Sequence, residues 1–266
     1  MKVYMSVDIE GICGTTHWDE VTRGGERYPE YQKQMTVETA AACNAALEAG
    51  ATQVYVRDGH DSAKNIIAME LPESTVLIRG WSRHPYMMMQ ELDQSFDAAM
   101  MIGYHSLGGS PGNPLAHTMS NTRVSTVTIN GQPTSEFLIN SYTAALEKVP
   151  VIFVSGDQAL CDHASEIIPA IKTVAVKYGT GDSTVNIHPQ TACREISGTV
   201  KDALSQDLSN CLLPLPKSFE VAITYTSCME AYKNSLFPGA TLAAPNMIRF
   251  QSTDYFEVLK LFLFTL

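Results

Sequence analysis

Short apolar runs rich in β-branched residues alternate with longer helical stretches through the first two-thirds of this 266-residue chain. That alternation is the pattern of βαβ units around a mostly parallel sheet, since parallel strands need a crossover connection that a helix supplies. Residues 3–7, 53–56, 75–78, 98–102, 151–155 and 173–176 read as the strands. Residues 36–49 are rich in alanine, with Leu47 on the apolar side and Gly50 just beyond, and read as a helix with a glycine stop. Another helix follows Ser135, where Leu138, Ile139, Tyr142 and Leu146 fall near helical spacing.

Two stretches depart from this scheme. Alternating residues from Thr126 run into Asn130-Gly131, a hairpin signal that reads here as an insertion or an edge ribbon near 124–134. Beyond about Pro189 a long polar helix leads to Phe219, Val221, Ile223 and Tyr225, which alternate on one face. A helix, a strand around 248–250 and a final helix opened by Asp254 and Glu257, spaced like a capping box, complete the chain. The expected fold class is therefore α/β: a mostly parallel, Rossmann-like sheet flanked by helices over 1–188, and a smaller α+β unit over 189–266.

The chain is long enough to bury a substantial core without cross-links. Its six cysteines, at 13, 43, 161, 193, 211 and 228, form no CxxC pair and read mostly as small buried hydrophobes of a reducing compartment. A formal charge of −10 argues against nucleic-acid or anionic-membrane partners. The N-terminus reads as a strand rather than a signal peptide, and no apolar run approaches the ~18 residues of a membrane span. Residues 258–266 read as a helix packed on a core or a partner subunit. The expectation is a cytoplasmic protein.

The chemistry lies at the strand ends. Asp8 and Glu10 follow the first strand, and carboxylates two residues apart on an extended chain project to one side. At the carboxyl end of an α/β strand they face the crevice where ligands bind. Two further strands run into His60 and His105. In a parallel sheet these residues reach one edge, and such oxygen and nitrogen donors suit zinc, manganese or cobalt. Glu136, after the hairpin, is a fifth candidate, with the alternative role of a helix N-terminal acid favoured by the dipole. Five donors exceed the needs of one tetrahedral zinc and match two ions roughly 3.5–4 Å apart sharing a carboxylate. His117, beyond the glycine- and proline-rich stretch 108–114, has the residue type of a general acid or base.

Together, Ser6-Val-Asp-Ile-Glu-Gly-Ile, Asp58-Gly-His60, Gly103-Tyr-His105, His117-Thr-Met and Asn130-Gly-x-Pro-x-x-Glu136 resemble the D-aminopeptidase family of zinc metallopeptidases. The resemblance runs in order to about Lys177 and more weakly to the end. It implies that Asp8, Glu10, His60, His105 and Glu136 hold two Zn²⁺ per subunit, with Asp8 bridging, and that His117 is the catalytic histidine. It further implies release of N-terminal residues, preferentially D-amino acids, from short peptides by metal-activated hydroxide attack, in a ring-like homo-oligomer. Cys13 departs from the serine or threonine frequent there, and the stretch from His105 to His117 is one residue longer than expected.

Other residues keep two readings. Asp58 is either a carboxylate that orients an imidazole or a cap of the following segment. Gly179-Thr-Gly181 lacks the ending of a phosphate loop, while Lys177 beside it is placed to hold a substrate carboxylate or carbonyl. Met87, Met88 and Met89 read as core or interface filler. Two rivals stand beside the peptidase: a dinuclear amidase or phosphoesterase on another small substrate, and a non-catalytic peptide-binding protein.

Overall fold

The structure, a computed structural model, describes residues 1–266. In chain order the first part comprises β1 (Lys2–Val7), α1 (Trp18–Val21), α2 (Tyr28–Glu48), β2 (Gln53–Asp58), β3 (Thr75–Ile78) and β4 (Ala98–Tyr104). There follow β5 (Val124–Ile129), β6 (Gln132–Pro133), α3 (Glu136–Leu146), β7 (Val151–Asp157), α4 (Gln158–Ile167), β8 (Lys172–Thr180), β9 (Ser183–Asn186) and α5 (Pro189–Ser205). The last part is β10 (Phe219–Tyr225), α6 (Cys228–Asn234), β11 (Thr241–Ala244), β12 (Met247–Ser252) and α7 (Tyr255–Thr265).

All six expected strands are present, and with β9 as a seventh they pair in the order β3-β2-β1-β4-β7-β8-β9. Every pair is parallel except β8 with β9. The middle strands β1, β4 and β7 are almost wholly buried, as strands covered on both faces must be. The order reverses direction between β1 and β4, and at such a switch point the carboxyl ends of neighbouring strands open a crevice. Register brings the ends level, because Val7 pairs with Asp58 on one side and Ile102 on the other. Asp8, His60 and His105 thus leave the sheet one, two and three residues beyond one row of paired residues.

The 124–134 hairpin interrupts the first sheet's strand order between β4 and β7 and joins a second sheet. β5 pairs along β10 in a second, antiparallel sheet of order β11-β12-β10-β5-β6, and only β6 lies at the edge. Phe219, Val221, Ile223 and Tyr225 form the buried face of β10, as their alternation indicates. α7 buries Val258, Leu259, Leu261 and Phe262, and Tyr255 donates its hydroxyl to the Ile139 carbonyl at 2.8 Å, joining α7 to α3. Asp254 caps α7 by accepting from Phe256 N–H, whereas Glu257 pairs with Lys260 instead of closing a box. α5 packs on α2 and β8 of the first sheet, burying Ala192, Ile196, Val200 and Ala203 there.

Candidate metal centre

The turn after β1 is shaped by contact between two backbones. Asp8 N–H donates to Ile102 O at 2.8 Å and Gly11 N–H to Gly103 O at 2.9 Å. A Cβ on Gly11 would lie 1.6 Å from the Tyr104 carbonyl oxygen, and one on Gly103, at φ +68°, would lie 2.4 Å from Asp8 O. Glycine at both positions lets the ends of β1 and β4 touch, which fixes where Glu10 and His105 emerge. Lys177, buried on β8, supports the turn from behind. Its ammonium donates to Glu10 O at 2.6 Å, Thr15 O at 2.6 Å and Thr15 Oγ1 at 2.7 Å. With its donors committed to two backbone carbonyls and the Thr15 hydroxyl, Lys177 does not reach a substrate, which corrects the role expected for it.

His60 is placed by the segment that follows β2. The Asp58 carboxylate accepts from Asn65 N–H, Asn65 Nδ2 and Ile66 N–H, so it caps that segment rather than holding an imidazole. Asn65 then donates to the His60 carbonyl at 2.7 Å. Glu136 is the first residue of α3, whose N-cap Ser135 accepts from Leu138 N–H. Its Oε1 accepts from Met119 N–H at 2.7 Å, which ties it to the loop carrying His117.

These segments bring together all six residues singled out in the sequence. His60 Nδ1 lies 3.2 Å from Asp8 Oδ1 and 3.0 Å from Glu10 Oε2. His105 Nε2 lies 3.6 Å from both Asp8 Oδ2 and Glu136 Oε1, and His117 Nε2 is 3.6 Å from Glu136 Oε1. The other ring nitrogens are engaged with backbone carbonyls: His60 Nε2 with Val21 at 2.7 Å, His105 Nδ1 with Ser106 at 3.0 Å, His117 Nδ1 with Leu115 at 2.9 Å. A carbonyl only accepts, so each of those nitrogens carries the proton. In a neutral ring the nitrogen facing the carboxylates then presents a lone pair, and acceptor meets acceptor three times over.

Such an arrangement calls for positive charge between the groups. Burial disfavours a charged His60, yet Glu10 outweighs it and lifts the imidazole well above its usual range. His105 is lifted to about 10, with Glu136 overcoming burial. Burial and then Glu10 push the Asp8 carboxyl up to about 7. Glu10 Oε2 and His105 Nε2 are buried without a hydrogen-bond partner. Orphaned acceptors in a ring of carboxylates and imidazoles, each imidazole oriented by its far nitrogen, fit a divalent cation of the zinc type.

The donors fall into two sets, Asp8 with Glu10 and His60, and His105 with His117 and Glu136. Asp8 turns one oxygen to each set. His117, expected as a catalytic residue, stands close enough to the second set to be a donor as well. The cluster borders a cavity of about 520 Å³ whose wall includes Trp18, Asp61, Trp81, Met88 and Met119 but no lysine or arginine. Met88, read as filler, is buried and reaches this wall. Trp18, Asp61 and Trp81 escaped the sequence reading. The signal available was that the chain has only two tryptophans and neither falls in an apolar strand run. Cys13 donates its Sγ–H to Ile187 O and takes no part in the cluster.

The profile of the D-aminopeptidase family matches residues 1–264. The chain belongs to the D-aminopeptidase family. A D-aminopeptidase of Bacillus subtilis (strain 168) is 32% identical over 260 residues, covering 97% of this chain and 93% of the relative. A solved structure, described as the Zn-dependent D-aminopeptidase DppA from Bacillus subtilis, a self-compartmentalizing protease, superposes with a TM-score of 0.93. It is 30% identical and the match covers 100% of this chain and 96% of that one. Membership makes this family member a metallo-aminopeptidase, a hydrolase acting on peptide bonds, with the α/β architecture of the solved relative.

Proposed function

We propose that this chain is a two-zinc aminopeptidase that removes N-terminal residues, D-amino acids by preference, from short peptides. The observation that carries the reading is the set of three imidazoles whose N–H groups are bound to backbone carbonyls and whose remaining nitrogens face Asp8, Glu10 and Glu136. Asp8, Glu10 and His60 would hold one ion, and His105 and Glu136, with the second oxygen of Asp8, the other. Three buried carboxylates balance most of the charge of two divalent cations, which supports a pair over a single ion. When bound, such metals supply Lewis acidity and make a water acidic enough to yield a nucleophile near neutral pH.

The protein's own groups supply the rest. His117 presents Nε2 to the cavity with its ring orientation fixed through Nδ1, so it accepts and returns a proton at that atom. Asp61 is the one cavity carboxylate outside the five donors, and it is placed to meet the substrate's α-ammonium. A wall without lysine or arginine offers no cationic side chain to a C-terminal carboxylate or to a phosphate ester. This supports recognition of the amino end and disfavours a phosphoesterase. The preference for D-residues and assembly into a homo-oligomer that encloses the site rest on the family and on the solved relative.

The test is metal content by mass spectrometry coupled to hydrolysis of matched D- and L-alanyl peptides. Two zinc equivalents and faster D-alanyl release are expected. A single equivalent, or no cleavage of either peptide by the loaded protein, overturns the corresponding part of the reading.

A further inference from the structure

Both tryptophans of the chain border the cavity, one beside each half of the donor cluster. Trp18 stands edge-on to His117 with ring centroids 5.4 Å apart. Trp81 lies near the His60 half, its indole N–H donating to the Asp61 carbonyl at 2.7 Å. Trp81 is also held from a second side, because the Arg57 guanidinium carbon sits 4.3 Å from its ring centroid.

Arg57 is the costly part of this arrangement. It is fully buried, its Nη1 donates to Gly80 O at 2.8 Å, and its Nε and Nη2 have no partner. A buried guanidinium with unpaired N–H groups is expensive, and such a group in a native fold calls for an explanation. Stacking on Trp81 is what Arg57 does there. The indole is thereby fixed between a cation and a backbone carbonyl, leaving the rest of the ring to border the cavity.

We propose that Trp81, clamped by Arg57 and the Asp61 carbonyl, is the wall that selects the substrate side chain next to the scissile bond, and that it selects an uncharged apolar one. The proposal rests on the aminopeptidase reading and deepens it by naming the substrate class. The indole offers a large apolar surface, and Val21, Met88 and Met119 extend it around the cavity. A cationic side chain on the same ring would meet the charge of Arg57 behind it. An anionic one would meet Asp61 and the carboxylates of the cluster. Apolar neutral groups meet neither penalty, and pre-organisation of the wall removes the ordering cost of binding them.

The experiment compares kcat/KM of the zinc-loaded protein for D-leucyl and glycyl anilides. The D-leucyl substrate is expected to be favoured by roughly ten- to a hundredfold, the range apolar pockets achieve. In Trp81→Ala that ratio should fall about tenfold, chiefly through KM, and Trp81→Phe should restore most of it. Arg57 is a positioning residue. In a Trp18→Phe background, Arg57→Lys should raise acrylamide quenching of Trp81 emission and lower the ratio several-fold. An unchanged ratio in Trp81→Ala, or equal losses on both substrates, overturns the proposal. If no anilide is cleaved, the aminopeptidase reading fails separately. The wall is then judged by Trp81 emission, which should respond to D-leucine amide and not to glycinamide; no difference between them overturns it.

Discussion

The imidazoles of His105 and His117 lie face to face, with ring centroids 4.3 Å apart and planes 12° from parallel. Both turn Nε2 toward Glu136 Oε1, yet they come from different segments, one from the end of β4 and one from a loop. The pair separates two roles that the geometry alone allows for His117, proton transfer and metal ligation. His117→Ala should lower kcat about 10²- to 10⁴-fold, the usual loss of a general acid or base. Metal content, read by mass spectrometry on the same sample, should stay at the wild-type value. Loss of one zinc equivalent would make His117 a ligand, and near-native turnover with full metal would remove it from the reaction.

Chelation should weaken the fold as well as the activity. Without cations, the three buried carboxylates are balanced only by protons taken up on His60 and His105, which replace less charge than two divalent ions. At a hundredfold excess over its Kd one bound ion contributes about 2.7 kcal/mol. For two such ions and a chain of this size, dialysis against dipicolinate should therefore lower Tm by roughly 10–20 °C. Scanning fluorimetry before dialysis, after it and after zinc is returned checks this. A Tm indifferent to chelator would mean that the cluster holds no ion.

Lys177→Met should damage the centre without touching substrate. The substitution leaves the Thr15 carbonyl without its buried donor and the Glu10 carbonyl with only Asn113 Nδ2 and Thr15 Oγ1, and a buried acceptor left unpaired costs about 1–3 kcal/mol. Zinc affinity, measured by competition with a chromogenic chelator, should fall because Glu10 is carried by that turn. Unchanged affinity and stability together would show that the turn holds its shape unaided.

Glu38 gives a pH signature from outside the donor set. It is buried, its Oε1 accepts from Cys13 N–H and Gln34 Nε2, and its Oε2 has no partner. Burial pushes its pKa from 4.5 to about 7. The folded protein binds this proton more tightly than the unfolded chain, so the contribution is fully favourable below about pH 4.5 and is lost as pH rises through about 7. Glu38→Gln removes the penalty. The variant should match wild type near pH 4 and exceed it by about 1–3 kcal/mol at pH 8 in urea unfolding. A pH-independent difference would contradict the assignment.

The strands and the donors of the first sheet were legible because each lies within a few residues of an apolar run, and the register of a parallel sheet does the rest. Asp8, Glu10, His60 and His105 each needed only the statement that a strand ends just before them. Lys177 was misread because β8 continues to Thr180, past the expected end at 176, and nothing local reveals that the carbonyls of Glu10 and Thr15 lie behind it. The hairpin was visible through Asn130-Gly131, but its partner was not. β5 pairs Ile129 with Val221, a contact between distant parts of the chain that no short window contains. α2 begins at Tyr28 rather than near 36, since its first turns are polar and Pro29 sits in the first turn, where it is tolerated. Trp81 carries no periodicity and belongs to a connection between β3 and β4, so its neighbours Arg57 and Asp61 are apparent only in three dimensions.

The pairing of β5 with β10 has a consequence for biosynthesis. Glu136 follows the β5–β6 ribbon directly, and that ribbon has no neighbour to lie against until residues 219–225 have been made. A ribosome-bound fragment thus carries every donor of the centre while lacking the strand that steadies the last of them. The seating of Glu136 thus depends on a strand that the chain supplies only after β7, α4, β8, β9 and α5.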